Sequence, residues 1–406
     1  MRVAIITENF LPKLDGVTRT LARLLEYLQA NGHQALLLGP ESGMQQYAGA
    51  ELVGTPGVAF PFYPELKFNF FRPLFVRRLS EFSPDIVHLV DPVILGAAGL
   101  VAARLLNKPL VSSYHTNLAA YCSHFGFSPL TEPMWRYNRF IHNQCSLTFC
   151  PSPSTATMLR LQGFHHLRIW PRGVDTTFFR PQRRSAELRS SWLRACSPPI
   201  YRGELLIHRE TSEAREQPDN KLILLYVGRI SWEKNLRLLV QAYLGLDHRY
   251  CHLVIVGDGP AHAEMRQLLA DVPVTFTGYL SGGQLADAYA SSDIFAFPSR
   301  TETFGQAVVE AMASGLPVVG LLSEGVCDLV TNGLTGLLDT QQVHEEEQVA
   351  SYRELLEKLI WDHSARQAMG QAARASAGKC SWPEAMQDLV QGYNEAIEQV
   401  HTPIAA

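Results

Sequence analysis

Short runs of Val, Ile and Leu, apolar on both faces if extended, alternate along this chain with longer segments whose apolar residues recur every three to four positions. A strand apolar on both faces must be covered on both, and a segment of helical period supplies the cover. The alternation therefore dictates βαβ units around a buried parallel sheet. In the first half the pattern predicts strands at Val3–Thr7, Ala35–Leu38, Asp85–Val90, Leu110–His115, Leu147–Pro151 and Arg168–Trp170. In the second half it predicts them at Leu222–Val227, His252–Val256, Val274–Thr277, Ile294–Phe297 and Val318–Leu321. At 406 residues the chain exceeds what one core usually supports, and both halves carry the pattern, so two α/β domains are expected. Their expected bounds are 1–180 and 181–380, with 381–406 as a C-terminal helix and tail. The stretch 197–220 opens on Ser197-Pro198-Pro199, turns heavily charged after Glu210 and has neither period, so it reads as a mobile surface insertion. No repeat of fixed length is visible, which excludes a solenoid or propeller.

Composition narrows the class. Hydrophobic residues make up 46% and charged residues 18%, the balance of a soluble globular enzyme and not of a disordered chain. The apolar run Val3-Ala4-Ile5-Ile6 is too short for a signal-peptide core, and no stretch approaches the roughly 18 apolar residues that span a bilayer, so a cytoplasmic protein is expected. Seven cysteines are scattered and never spaced C-x-x-C, which fits neither a zinc knuckle nor a disulfide framework. Residues 1–180 carry 16 Lys/Arg against 11 Asp/Glu, while residues 181–406 carry 19 against 28. Such a split can direct the first half toward an anionic partner, but a nucleic-acid-binding protein carries a denser basic stripe, so nucleic acid is not expected.

In open parallel sheets ligands bind beyond the carboxyl ends of strands, so the loops after strands hold the candidate chemistry. Gly228-Arg229 to Glu233-Lys234-Asn235 follows the strand Leu222–Val227 and precedes a helical pattern. Cations at a helix entrance add their charge to the helix dipole and suit phosphate oxygens, although solvated loop charges are the plain alternative. Ser299 to Glu310 follows the strand Ile294–Phe297. There Gly305 permits close backbone approach, a helix starting near Gln306 presents N–H groups, and Glu302 and Glu310 can bracket a polyhydroxylated ligand. Taken alone, Glu302 complements a helix dipole and Glu310 is an exposed helical glutamate. Val256-Gly257-Asp258-Gly259-Pro260 is a further strand-to-helix turn, and Tyr114-His115-Thr116 closes a first-half strand with a histidine that reads as structural or catalytic.

Taken in order, these pieces resemble glycosyltransferase family 4. The block Glu302 to Glu310 with Phe304-Gly305, continued by Ala311-Met312-Ala313-Ser314-Gly315-Leu316-Pro317-Val318-Val319, is similar to that family's nucleotide-sugar signature. Gly228-Arg229 with Glu233-Lys234, the Gly257-Asp258-Gly259 turn and Arg172-Gly173-Val174-Asp175 fall at matching distances. Ser113-Tyr114-His115-Thr116 and Trp170 to Asp175 resemble the branch of sulfoquinovosyl-diacylglycerol synthases and GDP-mannose-dependent lipid mannosyltransferases. Two departures stand out. Asp15-Gly16 replaces the paired glycines of many members, and Arg172 replaces an asparagine.

The resemblance implies a GT-B fold, two Rossmann-like βαβ domains facing across a cleft, and a retaining transfer from a GDP- or UDP-linked sugar to a lipid or small-molecule hydroxyl. It implies donor contacts from Gly16, Arg229, Lys234, Asp258, Gly259, Glu302, Phe304, Gly305, Gln306, Ala307 and Glu310. Arg229 and Lys234 would neutralise the diphosphate, Glu302 would hold sugar hydroxyls, Glu310 the ribose, and His115 would approach the sugar from the first domain. No metal and no cofactor beyond the donor is expected. The segment Leu66–Phe82 combines Phe68, Phe70, Phe71, Phe75 and Phe82 with Lys67, Arg72, Arg77 and Arg78, and reads either as a peripheral membrane contact or as a core helix with solvated arginines. A dehydrogenase is disfavoured because Glu8-Asn9-Phe10-Leu11-Pro12, not G-x-G-x-x-G, follows the first strand. A GT-B epimerase or phosphorylase, or a silent sugar-nucleotide-binding protein, shares the architecture.

Overall fold

The structure is a computed structural model that describes residues 1–11, 16–60, 63–69, 72–124, 126–194, 221–341 and 344–401. The expected insertion at 197–220 lies outside the described residues. The chain forms two compact units, Met1–Gly173 with Cys380–Ala406, and Val174–Lys379.

The first unit holds β1 (Arg2–Thr7), β2 (Gln34–Pro40), β3 (Gln46–Tyr47), β4 (Ala50–Thr55), β5 (Gly57–Phe60), β6 (Tyr63–Asn69), β7 (Ile86–Val90), β8 (Leu110–Ser113), β9 (Leu147–Cys150) and β10 (Leu167–Ile169). Eight of them form one sheet in the order β10-β9-β8-β7-β1-β2-β4-β3, parallel except for the β3–β4 pair, and β5 and β6 pair with each other. Each face is covered as the alternation requires. The helix Gly16–Ala30 buries Val17, Leu21, Leu24, Leu25 and Leu28, a stripe of helical spacing, onto Val3 and Ile5. The C-terminal helix Trp382–His401 returns to the same face with Ala385, Met386, Leu389, Tyr393 and Ala396. Two glycines let it seat: a Cβ at Gly392 would collide with the Phe149 ring at 2.6 Å, and one at Gly173 would overlap the Trp382 backbone. The opposite face packs Phe75 and Leu79 of the helix Pro73–Phe82, with Leu95, Leu100 and Ala103 of the helix Ile94–Leu105, over Ala4, Ile6, Val87 and Leu89.

The second unit holds β11 (Leu222–Val227), β12 (Cys251–Val256), β13 (Val274–Gly278), β14 (Ile294–Phe297), β15 (Val318–Leu321) and β16 (Gly336–Asp339), all parallel, in the order β13-β12-β11-β14-β15-β16. The connections reverse direction between β11 and β14, just as they do between β1 and β7 in the first unit. At such a reversal the loops leaving two neighbouring strands part in opposite directions and open a crevice at their carboxyl ends.

Candidate active site at the strand ends

In the second unit the crevice between β11 and β14 is where two of the predicted residues meet. Lys234 Nζ lies 2.6 Å from Glu302 Oε1, and Ser299 Oγ donates to the same oxygen at 3.0 Å. Two more bonds tie the loops together. Thr301 Oγ1 donates to the Glu233 carbonyl at 3.3 Å, and Asn235 Nδ2 to the Pro298 carbonyl at 3.2 Å. Asn235 adopts φ 55°, a left-handed turn that asparagine tolerates, and so lets the loop enter the helix Leu236–Leu244 directly after Lys234. The turn after β12 supports this loop from the other side: Ile230 N–H donates to the Asp258 carbonyl at 2.9 Å, and Ala261 N–H to that of Ile230 at 3.0 Å. A Cβ at Gly257 would overlap the Gly228 carbonyl, and one at Gly259 the Ile230 carbonyl. These glycines thus serve backbone-to-backbone packing, while the Asp258 carboxylate is largely exposed beside His262 at 3.5 Å.

Gly305 takes φ 94° at the entrance of the helix Gln306–Ala313, a conformation that strains any side chain. Gln306 and Ala307 are the first residues of that helix and Phe304 is buried behind it. Glu310 is not an exposed helical glutamate. It is 5% exposed and accepts from Tyr289 Oη at 3.2 Å and from Gln306 Nε2 at 3.4 Å, so tertiary packing holds its carboxylate in place. Gly325, after β15, closes against the Glu302 carbonyl and the Phe304 nitrogen, each 2.8 Å from where its Cβ would stand. Arg229 is half-buried at the end of β11.

The first unit presents its own cluster at the carboxyl ends of β1, β7 and β8. Glu8 accepts from the Val93 and Gly96 amides at 3.1 and 3.2 Å, capping the helix Ile94–Leu105, and burial raises its pKa against those bonds. Asp91, at φ 44°, accepts from the amides of His115 at 2.6 Å and Thr116 at 3.1 Å, and from Thr116 Oγ1 at 2.7 Å. Burial still pushes its carboxyl up to about 6. His115 is buried: Nε2 lies 2.9 Å from Ser113 Oγ, and Nδ1 lies 3.4 Å from Arg172 Nη2. Burial, then the charge of Arg172, holds its pKa well below the ordinary imidazole value. The same guanidinium reaches the start of the first helix, where a Cβ at Gly16 would stand 2.6 Å from Arg172 Nη1.

Sequence reasoning passed over Asp91 and His88, buried in a strand or at its end, and named Ser113, Asn235 and Thr301 within motifs without giving them a role, although Asn235 and Thr301 make the bonds that join two distant loops. It left Arg172 without a place. Of Leu66–Phe82, residues 70 and 71 lie outside the described residues, as do the side chains of Lys67 and Phe68. Phe75 is a core residue, Phe82 stacks under Arg2, Arg77 pairs with Glu81, and Arg78 pairs with Glu51 and Glu81. Arg72 and Leu74 are exposed. Among the described residues no helix is long and apolar enough to cross a membrane.

Two Rossmann-like units, each with candidate residues at the switch point of its sheet, and a second unit that sets a lysine, two carboxylates and a helix entrance around that point, are the architecture of GT-B glycosyltransferases. The chain belongs to glycosyltransferase family 4. Residues 14–178 match the model described as Glycosyltransferase Family 4, and residues 208–376 match Glycosyl transferases group 1. A GDP-mannose-dependent alpha-mannosyltransferase of Corynebacterium glutamicum is 35% identical over 404 residues, covering 98% of this chain and 89% of the relative. The sulfoquinovosyl transferase SQD2 of Arabidopsis thaliana is 31% identical, over 91% of this chain and 68% of the relative. Among solved structures, sucrose-phosphate synthase of Thermosynechococcus elongatus has a TM-score of 0.74 at 19% identity, covering 98% and 99% of the two chains. Anabaena HepE in complex with UDP-glucose has a TM-score of 0.73 at 19% identity, covering 98% and 100%. The protein is a glycosyltransferase.

Proposed function

We propose that this enzyme transfers a hexosyl group, with retention, from a nucleotide-diphosphate sugar to a hydroxyl of a lipid acceptor, with GDP-mannose the first donor to test. The observation that carries the reading is the Lys234–Glu302 pair at the β11–β14 switch point, 2.6 Å apart. A diphosphate arriving there takes over the ammonium, and the released carboxylate is positioned for sugar hydroxyls. Arg229 adds a second cation for the departing nucleoside diphosphate, whose developing charge is the largest electrostatic demand of the reaction. The helix entrance at Gly305, Gln306 and Ala307 turns its amides toward the phosphates, Glu310 accepts from the ribose, and His115 contacts the sugar. The acceptor oxygen attacks the anomeric carbon on the face that the phosphate leaves, the carbon–oxygen bond to phosphate breaks, and the acceptor proton passes to a phosphate oxygen of the leaving group.

The relatives support donor and acceptor class. Those named GDP-mannose-dependent mannosyltransferases match nearly the whole chain, and two alpha-monoglucosyldiacylglycerol synthases match 83% of it. A lipid acceptor brings the enzyme to a membrane surface, and among the described side chains of Leu66–Phe82, Arg72 and Leu74 are available for the contact, since Phe75 is in the core and Arg77 and Arg78 are ion-paired. A thermal-shift panel of UDP-, GDP- and ADP-sugars reads the donor, because a ligand at one hundred times its Kd stabilises the folded state by about 2.7 kcal/mol. Transfer of labelled sugar from that donor to diacylglycerol in vesicles then tests the acceptor. Binding without transfer to any lipid defeats the lipid assignment, and no shift with any nucleotide sugar defeats the whole reading.

A further inference from the structure

Behind His115 a line of buried hydrogen bonds runs through the first unit to the C-terminal helix. His115 Nε2 is 2.9 Å from Ser113 Oγ, the same oxygen is 2.9 Å from His88 Nε2, and His88 Nδ1 is 2.7 Å from Tyr393 Oη. All four side chains are buried, and the His88 ring is boxed by Phe149, Trp170 and Tyr393. A serine hydroxyl has one proton, so between two imidazole nitrogens it can donate to only one and must accept from the other. That leaves two polarities for the whole line, and they place the His115 proton on opposite nitrogens.

Arg172 decides between them. A guanidinium only donates, so the His115 Nδ1 atom facing it has to be the acceptor. The proton of His115 then sits on Nε2 and is given to Ser113 Oγ. Ser113 gives its own to His88 Nε2, and His88 gives the proton on Nδ1 to Tyr393 Oη. The reverse polarity would set an N–H against the guanidinium. Asp91 already fixes the backbone of His115 through a 2.6 Å bond, which leaves ring rotation and tautomer as the only freedoms to be set.

We infer that Tyr393, His88 and Ser113 are positioning residues of the transferase, which with Arg172 lock His115 as the neutral Nε2–H tautomer with its Nδ1 lone pair turned toward Arg172. The inference rests on the assignment of His115 to the sugar only for its kinetic consequence. With Nε2–H committed to Ser113, Nδ1 is the ring atom a sugar hydroxyl can reach, sharing it with Arg172, and an imidazole that exchanges tautomers would present an N–H there as well as a lone pair.

Tyr393→Phe removes one oxygen and leaves the ring packing. It strands the His88 Nδ1–H in an apolar box, which favours the other His88 tautomer, turns the Ser113 hydroxyl round and drives the His115 proton to Nδ1. The expected readout is a move of the His115 ring-nitrogen resonances, in the 15N-labelled full chain, from the Nε2–H pattern toward the Nδ1–H pattern. A drop on the order of tenfold in kcat/KM with GDP-mannose accompanies it, the direction in which a wrong histidine tautomer acts in other enzymes. Ser113→Ala should do the same by cutting the line in its middle, and His88→Gln, whose amide can still accept from Ser113 and donate to Tyr393, should restore most of the rate. Unchanged ring-nitrogen resonances in both folded variants overturn the inference, as does an Nδ1–H tautomer in the unmodified protein. A moved tautomer with unchanged turnover keeps the line and removes His115 from the sugar site, as an active His115→Ala would.

Discussion

Acidification from pH 7 to about 5.5 is expected to destabilise the first unit through its buried histidines, with the raised Asp91 carboxyl offsetting part of the loss. Burial holds His88 and His142 near a pKa of about 3, against 6.5 for the same groups in the unfolded chain. A native state that keeps imidazoles neutral is fully favoured above the unfolded value and loses that advantage as pH falls through it, because the unfolded chain then binds protons that the native chain refuses. Between pH 7 and about pH 5.5 the loss is about 1.2 kcal/mol for each of the two residues. Since pH 5.5 lies far above the native value, the ordinary imidazole pKa alone sets this figure. Asp91 acts in the opposite sense: raised from 3.8 to about 6, its carboxyl binds a proton first in the native state, which returns about 0.8 kcal/mol over the same interval. The net loss is about 1.6 kcal/mol, and His115, depressed in the same direction, deepens it. In urea, with a slope of roughly 2 kcal/mol per molar, the unfolding midpoint should fall by about 0.8 M or more. Fluorescence of Trp170, packed against both His88 and His115, reports it. His142→Gln should remove about 1.2 kcal/mol of the pH dependence. A midpoint that holds or rises on going from pH 7 to 5.5 refutes the reasoning.

Lys234→Ala should lower kcat/KM at least tenfold, about 1.4 kcal/mol or more, because it takes a cation from the diphosphate and the partner from Glu302; near-normal kinetics in a folded variant would remove that assignment. Activity should persist in a metal chelator, since Arg229 and Lys234 carry the charge neutralisation, and full loss restored by magnesium or manganese would show otherwise. Leu389→Ala, in the C-terminal helix and without solvent exposure, should cost the first unit about 2–5 kcal/mol in chemical unfolding; a change below 1 kcal/mol would mean the helix is not part of that core.

Most strands that the sequence discloses carry an unbroken apolar run, whereas β4 and β6, at six and seven residues, are interrupted in sequence by Glu51 and Gly54 or by Pro64, Glu65 and Lys67 and are not predicted. β11, Leu222–Val227, is six residues without a polar side chain except a tyrosine hydroxyl, and its bounds are legible to the residue. β16, Gly336–Asp339, offers two leucines between a glycine and an aspartate, and β3 is two residues long, so neither carries a period. The site divides along the same line. Residue types at the loops after strands are visible in the sequence, but that Lys234 meets Glu302 depends on β11 and β14 being neighbours, which no local pattern encodes. Glu310 has the look of a solvated helical glutamate because its partner Tyr289 comes from a different helix. His88 sits inside an apolar strand, and only the register of β7 on β8 and the return of the C-terminal helix give it Ser113 and Tyr393.

That return inverts the order in which the halves can be completed during synthesis. The second unit is one continuous stretch, Val174–Lys379, and has all its strands once that stretch is made. The first unit, though begun at once, lacks one cover of its sheet and the end of its hydrogen-bonded line until Tyr393 has been added. Domains usually fold as units in the order of synthesis. Here the half made first finishes last, and must keep Phe149 and Trp170 shielded while the other forms. A chain cut short after Lys379 carries every predicted donor residue and still has no complete first core, and a graft of the first unit onto another transferase has to bring its own Cys380–Ala406.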